Sequence, residues 1–214
     1  MKLKGKLITF EGSEGSGKST QIQLLHLYLK KKKKPVVLLR EPGGVTISEK
    51  IRQVLLDTKN KAMGNECETL LYLAARAQLV KEVIEPALKS GKVILCDRFM
   101  DSTVAYQGYG NGVDIRFIKT VGEFATRGIE PDLTFIFDID AEEGLSRIHR
   151  AKDRIERRAL NYHRRVRQGY LDLAQGSPKR IKLINGDQPK ETIRDIIRRR
   201  VDSLLGSYTP FQKF

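Results

Sequence analysis

Five short apolar runs alternate along the chain with longer stretches whose apolar residues recur at helical spacing. Hydrophobicity within each run is continuous, which is typical of parallel strands covered on both faces. The runs read "KLITFEG", "PVVLLRE", "KVILCDR", "DLTFIFDID" and "RIKLING". The helical spacing predicts helices near 18–33, 46–57, 66–89, 114–126, 157–174 and 189–205. Strands that alternate with helices indicate an α/β fold with a doubly wound parallel sheet.

The 214 residues contain no internal repeat, low-complexity segment or linker, so we expect a single domain over 1–214. In a doubly wound sheet, ligands bind outside the carboxyl ends of the strands. The segments that follow the predicted strands are therefore the first places to search for a site. They are 12–19, 40–44, 97–108 and 138–154.

The first of these segments fits the phosphate-binding pattern G-x-x-x-x-G-K-[ST]. Its members are Gly12, Ser13, Glu14, Gly15, Ser16, Gly17, Lys18 and Ser19, with Thr20 following at the start of the predicted helix. In this pattern, backbone N–H groups and a helix N-terminus bind phosphates, so we expect Lys18 to reach the outer phosphates and the Ser19 hydroxyl to bind Mg²⁺. The chain has no N-K-x-D for reading guanine. The pattern predicts a nucleoside triphosphate site other than that of a GTPase.

An apolar run ends in aspartate twice, at Asp97 and at Asp138, and either carboxylate could support the metal. Arg98 directly follows Asp97. A carboxylate beside a guanidinium at a strand end suits Mg²⁺ on one side and a second phosphate on the other. The alternative for Asp97 is an ordinary ion pair at the end of a strand.

The net charge of +14 raises the question of an anionic partner, and much of it lies in Lys30–Lys34 and in the arginine-rich stretch 147–167. One alternative function is therefore a P-loop ATPase that binds nucleic acid. No nucleic-acid module is recognisable, and solvated helix faces account for such charge runs equally well. Cys67 and Cys96 match no metal or redox spacing, and no apolar run reaches membrane-spanning length. The first predicted strand begins within a few residues of Met1, so we expect no signal peptide. We expect a cytoplasmic protein with no membrane or nucleic-acid partner.

Four motifs occur together in the order "FEGSEGSGKST", "REPGG", "LYLAARAQ" and "DRFMDSTVAYQG". In this order and spacing the chain resembles the thymidylate kinases, which are nucleoside monophosphate kinases. The resemblance implies transfer of the γ-phosphoryl group of ATP to dTMP, with Mg²⁺, to give ADP and dTDP for dTTP synthesis. It implies a five-stranded parallel sheet in the order 2-3-1-4-5, helices on both faces, a small lid near 146–158 and a homodimer. A related kinase acting on UMP or AMP is the alternative.

The resemblance also implies an acceptor pocket. Arg98 and Arg52 match the groups that hold the dTMP phosphate, and Arg40 or Glu41 lies nearby.

The base and sugar of the acceptor have implied partners as well. Tyr72 matches the ring that stacks on thymine, and Arg76 matches the guanidinium that donates to a thymine carbonyl. Thr103 and Gln107 match positions that hydrogen-bond the base, and Tyr106 matches the ring that crowds the sugar 2′ carbon. The residues themselves agree with these roles, because Arg76 interrupts an otherwise apolar helix face. Tyr72 lies one turn earlier on that face. The alternatives are an Arg76 that reaches the surface and a Tyr72 that is an ordinary core residue.

A carboxylate in the middle of a phosphate loop needs an explanation. In the family that this chain resembles, the acid at the position of Glu14 points out of the loop and accepts a hydrogen bond from the 3′-OH of the acceptor. Some members carry an arginine where this chain has Gly15, and members with glycine supply an arginine from the lid. Arg150 and Arg154 lie four apart, so on a lid helix they share one face. We therefore expect Arg150 and Arg154 to join Lys18 and Arg98 in phosphoryl transfer.

Overall fold

The computed structural model describes residues 3–206 and contains a five-stranded parallel sheet. Its strands are β1 (Lys6–Gly12), β2 (Val36–Arg40), β3 (Val93–Asp97), β4 (Leu133–Asp138) and β5 (Ile181–Asn185). Their order is β2-β3-β1-β4-β5, and every pair is parallel, so the predicted sheet is confirmed. The carboxyl ends of β1 and β3 lie side by side because Phe10 pairs with Asp97. This register brings the phosphate loop and the segment after β3 to the same edge.

Helices connect the strands, and one of them is interrupted by a π-helical turn while another ends in one. The α-helices are α1 (Lys18–Lys31), α2 (Thr46–Leu56), α3 (Asn65–Leu79), α4 (Glu85–Lys89), α5 (Met100–Thr103), α6 (Ile115–Thr126), α7 (Ala141–Ser146), α8 (Leu160–Gly176) and α9 (Lys190–Leu204). The helix predicted over 66–89 is divided by a π-helical turn at Val80–Ile84, and a second one, Val104–Gly110, follows α5. Within 3–206, no helix combines the length and the hydropathy that crossing a membrane requires.

The two faces of the sheet bury separate apolar clusters. Ile8 and Phe10 of β1 pack with Leu25 of α1 on one face, whereas Leu7 packs with Leu79 of α3 on the other. Successive residues of a strand point to opposite faces, which explains how one continuous apolar run serves both clusters. Burial of each such side chain contributes roughly 1.5–3 kcal/mol. The prediction of helices on both faces of the sheet is confirmed.

The segment between α7 and α8, residues 147–159, forms turns and irregular backbone. The expected lid helix is absent from it, and α8 begins at Leu160 rather than near 157. The expectation that Arg150 and Arg154 share one face of a lid helix is therefore wrong. Ile155 in this segment is nevertheless buried, at 4% exposure, and packs with Tyr106 and Tyr162. One buried apolar side chain anchors a segment that is otherwise polar.

Candidate active site

The phosphate loop joins β1 to α1, and its three glycines, Gly12, Gly15 and Gly17, adopt positive φ angles. Gly17, at φ 86°, is the residue directly before α1, so the loop leads into the helix N-terminus without a side-chain cap. Lys18 Nζ donates to the carbonyls of Gly12, at 3.0 Å, and Ser13, at 2.6 Å. Burial first, and then the charge of Arg98, lower the pKa of Lys18 to about 8. The loop therefore holds a buried ammonium group against its own carbonyls, ready for an anionic ligand.

Gly15 and Gly144 meet where the phosphate loop contacts α7. A Cβ on Gly15, whose φ is +68°, would lie 2.1 Å from the carbonyl oxygen of Gly144. A Cβ on Gly144 would lie 2.4 Å from the carbonyl oxygen of Glu14. Both positions thus require glycine, because the obstructing atoms are backbone. An arginine cannot replace Gly15 in this arrangement, which is the physical reason that the loop lacks that charge.

Glu14 points out of the loop into a set of polar partners. Its Oε1 accepts from Tyr106 OH at 2.6 Å and pairs with Arg98 Nη2 at 3.1 Å. His163 Nδ1 lies 3.7 Å from Oε2. Burial alone would raise the pKa of Glu14, but His163 and the charges of Arg98 and Lys18 outweigh it and hold the pKa well below its usual range. The carboxylate is therefore ionised and turned away from the phosphate cradle.

Arg98 is fixed at the carboxyl end of β3 by an unusual backbone and by several acceptors. Its φ is 72°, a left-handed conformation that is uncommon for a residue with a side chain. Its Nη1 donates to Gly12 O at 3.1 Å and to Tyr170 OH at 3.2 Å, and its guanidinium carbon lies 4.9 Å from the centre of the Tyr106 ring. Such strain concentrates at functional sites. The geometry places a guanidinium directly between the phosphate loop and the segment after β3.

The two candidate metal carboxylates differ in their partners. Asp97 Oδ2 accepts from Ser19 Oγ at 3.2 Å, whereas Asp138 is paired with Arg167 at 2.7 and 3.1 Å. A hydroxyl and a free carboxylate at one point of the loop fit Mg²⁺, which takes one or two protein oxygens and completes its shell with water and phosphate. In the described part of the chain, no group of three or more His, Cys, Asp or Glu side chains could hold a metal alone. The structure thus favours Asp97 over Asp138.

A cavity of about 490 Å³ opens beside the phosphate loop. Most of the predicted site residues line it. They are Glu14, Gly15, Lys18, Ser19, Glu41, Arg52, Tyr72, Arg76, Asp97, Arg98, Thr103, Tyr106, Gln107 and Arg150. Thr20, on the first turn of α1, is exposed. The motifs after β1, β2 and β3 and on α3 therefore converge on one cavity, as their positions at the strand ends required.

Arg76 does not reach the surface, since its side chain is 2% exposed. Its Nε donates to Glu41 Oε2 at 2.7 Å, its Nη1 to Thr103 Oγ1 at 2.9 Å, and its Nη2 to Phe99 O at 3.0 Å. Glu41 also compensates the charge, which a buried guanidinium needs. Because Nη2 carries a second N–H, Arg76 keeps one donor for a ligand in the cavity. Tyr72, one turn earlier on α3, lines the same cavity.

Two more arginines that line the cavity contact the segment after β2. Arg52 Nη1 donates to Pro42 O at 2.9 Å, and Arg40 pairs with both carboxylate oxygens of Glu49 at 3.0 Å. Because Glu49 already neutralises Arg40, Arg52 is the better-placed of these two cations for an incoming phosphate.

The lid arginines point in different directions. Arg150 lines the cavity and pairs with Glu156, while its side chain remains 65% exposed. Arg147 also lines the cavity, and its Nη1 lies 3.4 Å from Gly15 O. Arg154 instead donates to Leu55 O at 2.8 Å and lies 2.6 Å from Glu68, outside the cavity lining. The structure therefore does not bring Arg154 together with the other predicted site residues.

Comparison with known proteins decides the family. A family model described as "Thymidylate kinase" matches residues 10–197. The chain belongs to the thymidylate kinase family. A protein of Halothermothrix orenii named thymidylate kinase is 49% identical over 95% of this chain and 99% of its own length. A thymidylate kinase of Symbiobacterium thermophilum is 46% identical over 92% of this chain and 93% of its own. The crystal structure of thymidylate kinase from Ehrlichia chaffeensis has a TM-score of 0.77 and 33% identity, covering 92% of this chain and 98% of that one.

The sequence predicted no role for several residues that contact the site. Tyr170 and His163 of α8 contact Arg98 and Glu14 from outside the motifs. Glu11, fully buried, accepts from Phe99 N at 2.7 Å and from Tyr170 OH at 3.2 Å. A glutamate inside an apolar run was the available signal, since a buried carboxylate needs partners. Nothing in the spacing of α8 signals its two contacts, because they arise from packing between distant elements.

Proposed function

We propose that this protein is a dTMP kinase that transfers the γ-phosphoryl group of ATP to dTMP, giving ADP and dTDP for dTTP synthesis. The observation that carries the proposal is the shared cavity, in which Lys18 of the phosphate loop and Arg76, Thr103 and Gln107 of the opposite wall face one space. One side suits a triphosphate and the other suits a pyrimidine base. Membership of the thymidylate kinase family supports the same conclusion.

The phosphate side would work by charge and position. Backbone N–H groups of the loop and Lys18 would bind the ATP phosphates, and Arg98, fixed between loop and cavity, would hold the acceptor phosphate in line with them. Ser19 and Asp97 would hold Mg²⁺, whose charge offsets that of the phosphates. Arg150 is the lid residue we assign to the transferred group, with Arg147 as the alternative. We assign Arg154 a structural role, because it pairs with Glu68 and donates to Leu55 O.

The acceptor side would work by shape and hydrogen bonding. Arg52 assists Arg98 at the acceptor phosphate, and Tyr72 stacks on the base. Tyr106 is 6% exposed and donates its hydroxyl to Glu14, so its ring is fixed where the sugar must pass. The ionised Glu14 accepts from the 3′-OH. A ring fixed by a hydrogen bond leaves no room for a 2′-hydroxyl.

Initial rates of ADP release with ATP and Mg²⁺ against a panel of nucleoside monophosphates test this function. We expect dTMP to exceed AMP, CMP and GMP by 100-fold or more, because a site built to hydrogen-bond one base rejects bases that leave its buried polar groups unpaired. No ADP release with dTMP, together with release for another member of the panel, would show that the acceptor assignment is wrong. Chelation of Mg²⁺ should abolish the rate, and a salt-dependent gel shift with DNA would favour the nucleic-acid alternative.

We also propose a cytoplasmic homodimer. Support comes from the family and from exposed apolar side chains on α2, α3 and α6, namely Ile47 (50%), Leu70 (48%), Phe117 (44%) and Phe124 (84%). Large exposed apolar residues on neighbouring helices support a surface that another subunit covers. Both cysteines are free thiols, as in reducing compartments. Light scattering after gel filtration should give twice the mass of one chain, and Phe124→Glu should lower it; a monomeric wild-type protein would exclude the dimer.

A further inference from the structure

Glu68 is a carboxylate outside the family motifs that lies fully buried in α3. Each of its oxygens serves two partners. Oε1 accepts from Gln107 Nε2 at 3.0 Å and from Asn111 Nδ2 at 2.8 Å. Oε2 lies 2.6 Å from Arg154 Nη2 and accepts from Arg158 Nη2 at 2.7 Å. Two amides and one arginine thus donate to this buried carboxylate, and a second arginine lies within ion-pair distance.

The carboxylate decides which way the Gln107 amide faces. A side-chain amide has a donating and an accepting end, and it can rotate to exchange them. Since an ionised carboxylate only accepts, the nitrogen of Gln107 must face Glu68. Within residues 3–206, nothing donates to Gln107 Oε1. The carbonyl oxygen is therefore the end of Gln107 left for the cavity that this residue lines.

An acceptor at this point of the cavity distinguishes pyrimidine bases. Thymine and uracil carry a proton on N3 and can donate to a carbonyl oxygen. Cytosine has an unprotonated N3, which would face the Gln107 oxygen with a second lone pair. A site built around one hydrogen bond rejects a base that leaves it unmade, because a buried polar group is then unpaired.

We propose that Glu68 is a positioning residue for base selection, which acts through Gln107 by fixing its amide with the oxygen toward the acceptor base. The inference rests on the proposed function, since it places a pyrimidine monophosphate in the cavity. It assigns rejection of cytosine to a residue that need not touch the base. Arg154 and Arg158 belong to the same device because they occupy the far oxygen of Glu68 and leave the near one for the amides.

The substitution Glu68→Gln tests the proposal because it changes the direction of this chain of hydrogen bonds. Arginines only donate, so Arg154 and Arg158 will take the oxygen of the new amide and turn its nitrogen toward Gln107, and Asn111 Nδ2 loses the acceptor that it shared with Gln107. Gln107 must then face residue 68 with its oxygen and present its nitrogen to the base. We expect the ratio of kcat/KM for dTMP to that for dCMP to fall about tenfold or more. The kcat/KM for dUMP, whose base keeps the N3 proton, should change by the same factor as that for dTMP.

Two comparisons separate base selection from a general structural effect. Loosening of the lid or of α3 would lower turnover of dTMP, dUMP and dCMP by one common factor, and such a result would overturn the proposal. Glu66→Gln, on the exposed first turn of the same helix, should leave the ratio unchanged. In Gln107→Met the ratio should fall as well, and adding Glu68→Gln to it should change the ratio no further.

Binding measurements keep this inference distinct from the proposed activity. Calorimetric titration with dTMP and with dCMP gives the ratio of their dissociation constants, which reports base selection without turnover. A wild-type protein that binds dTMP selectively but transfers no phosphoryl group would contradict the kinase proposal and support this one. If Glu68→Gln does not fold, neutron diffraction of the deuterated wild-type protein with dTMP distinguishes the ND₂ of Gln107 from its oxygen. The nitrogen facing Glu68 supports the proposal, and the nitrogen facing the base overturns it.

Discussion

The phosphate loop and the lid supply the two positive sides of one cavity, but they are built in different ways. In the loop, residues 12–19, the groups we propose to bind phosphate are backbone N–H groups and one lysine that is 7% exposed and hydrogen-bonded to adjacent carbonyls. In the lid expected near 146–158, the proposed groups are long side chains, and the backbone over 147–159 is irregular. A contiguous motif is enough to define the arrangement of the loop. The arrangement of the lid depends on which distant residue each arginine contacts.

The two lid arginines differ in how far each guanidinium is exposed. Arg150 is 65% exposed, although its partner Glu156 is only 6% exposed and also accepts from the backbone N–H of Asp153 at 3.0 Å. Arg150 can therefore turn toward a phosphate in the open cavity while Glu156 keeps a backbone partner. Arg154 is 9% exposed and faces Glu68, which is fully buried. Breaking a buried ion pair costs about 3–5 kcal/mol, so Arg154 stays paired with Glu68 and does not turn toward the cavity.

The largest effect should come from the loop side. Lys18→Ala removes a charge that follows the moving phosphoryl group, and we expect kcat to fall by on the order of 10³ or more. Steady-state kinetics at saturating ATP and dTMP measure this. Lys30→Ala, on the exposed far end of the same helix, is the matched control and should keep wild-type kcat. A Lys18→Ala protein within tenfold of wild type would show that the loop is not the catalytic side.

Glu14→Gln should act on the acceptor and not on ATP. The substitution keeps the size of the side chain but weakens a charge-assisted hydrogen bond, worth about 1–3 kcal/mol, so the KM for dTMP should rise roughly tenfold. In the variant, 3′-deoxy-dTMP should become nearly as good a substrate as dTMP. A change confined to the KM for ATP would assign Glu14 to the triphosphate side instead.

Tyr106→Ala should weaken selection of deoxyribose severalfold, because it removes the ring that crowds the 2′ carbon. The measurement is the ratio of kcat/KM for dTMP to that for its ribonucleotide counterpart. Tyr106→Phe is the matched control, since it keeps the ring and loses only the hydroxyl that donates to Glu14. If the alanine and wild-type proteins show the same ratio, Tyr106 does not select the sugar.

The smallest effect concerns pH. Burial lowers the pKa of Lys18 to about 8, so the ammonium charge is present below that pH and is lost as the pH rises through it. ATP affinity should therefore decline severalfold between about pH 7 and about pH 9. Isothermal titration at a series of pH values measures the decline. Lys18→Arg, whose guanidinium stays charged, should bind ATP with a flat profile, and an equally flat wild-type profile would contradict the assignment.

The sequence was sufficient for the parts of the molecule whose chemistry is local. Five apolar runs predicted the strands of the sheet, and the resemblance supplied their spatial order. Motifs at strand ends predicted the cavity because parallel strands bring their carboxyl ends to one edge. Arg76 is buried and lines the cavity rather than reaching the surface, in agreement with a single charge on an otherwise apolar helix face.

The parts that the sequence did not reveal depend on pairing between distant elements. Arg150 and Arg154 have the spacing of a helix face, but the backbone there is irregular and Glu68 draws Arg154 away. Gly15 and Gly144 come from different motifs, and their close approach is visible only once α7 is packed on the loop. The partners of a buried charge cannot be read from its own neighbourhood in the chain.

The most direct test of the difference between loop and lid is the rate of phosphoryl transfer in three lid variants, measured in a single turnover with saturating ATP and dTMP. We expect Arg150→Ala, or failing that Arg147→Ala, to lose about 100-fold or more in rate with little change in dTMP affinity, the signature of a contact made in the transition state. Arg154→Ala should lower the melting temperature and leave the transfer step within about tenfold of wild type. A full rate in both Arg150→Ala and Arg147→Ala, with the loss appearing in Arg154→Ala, would contradict the account.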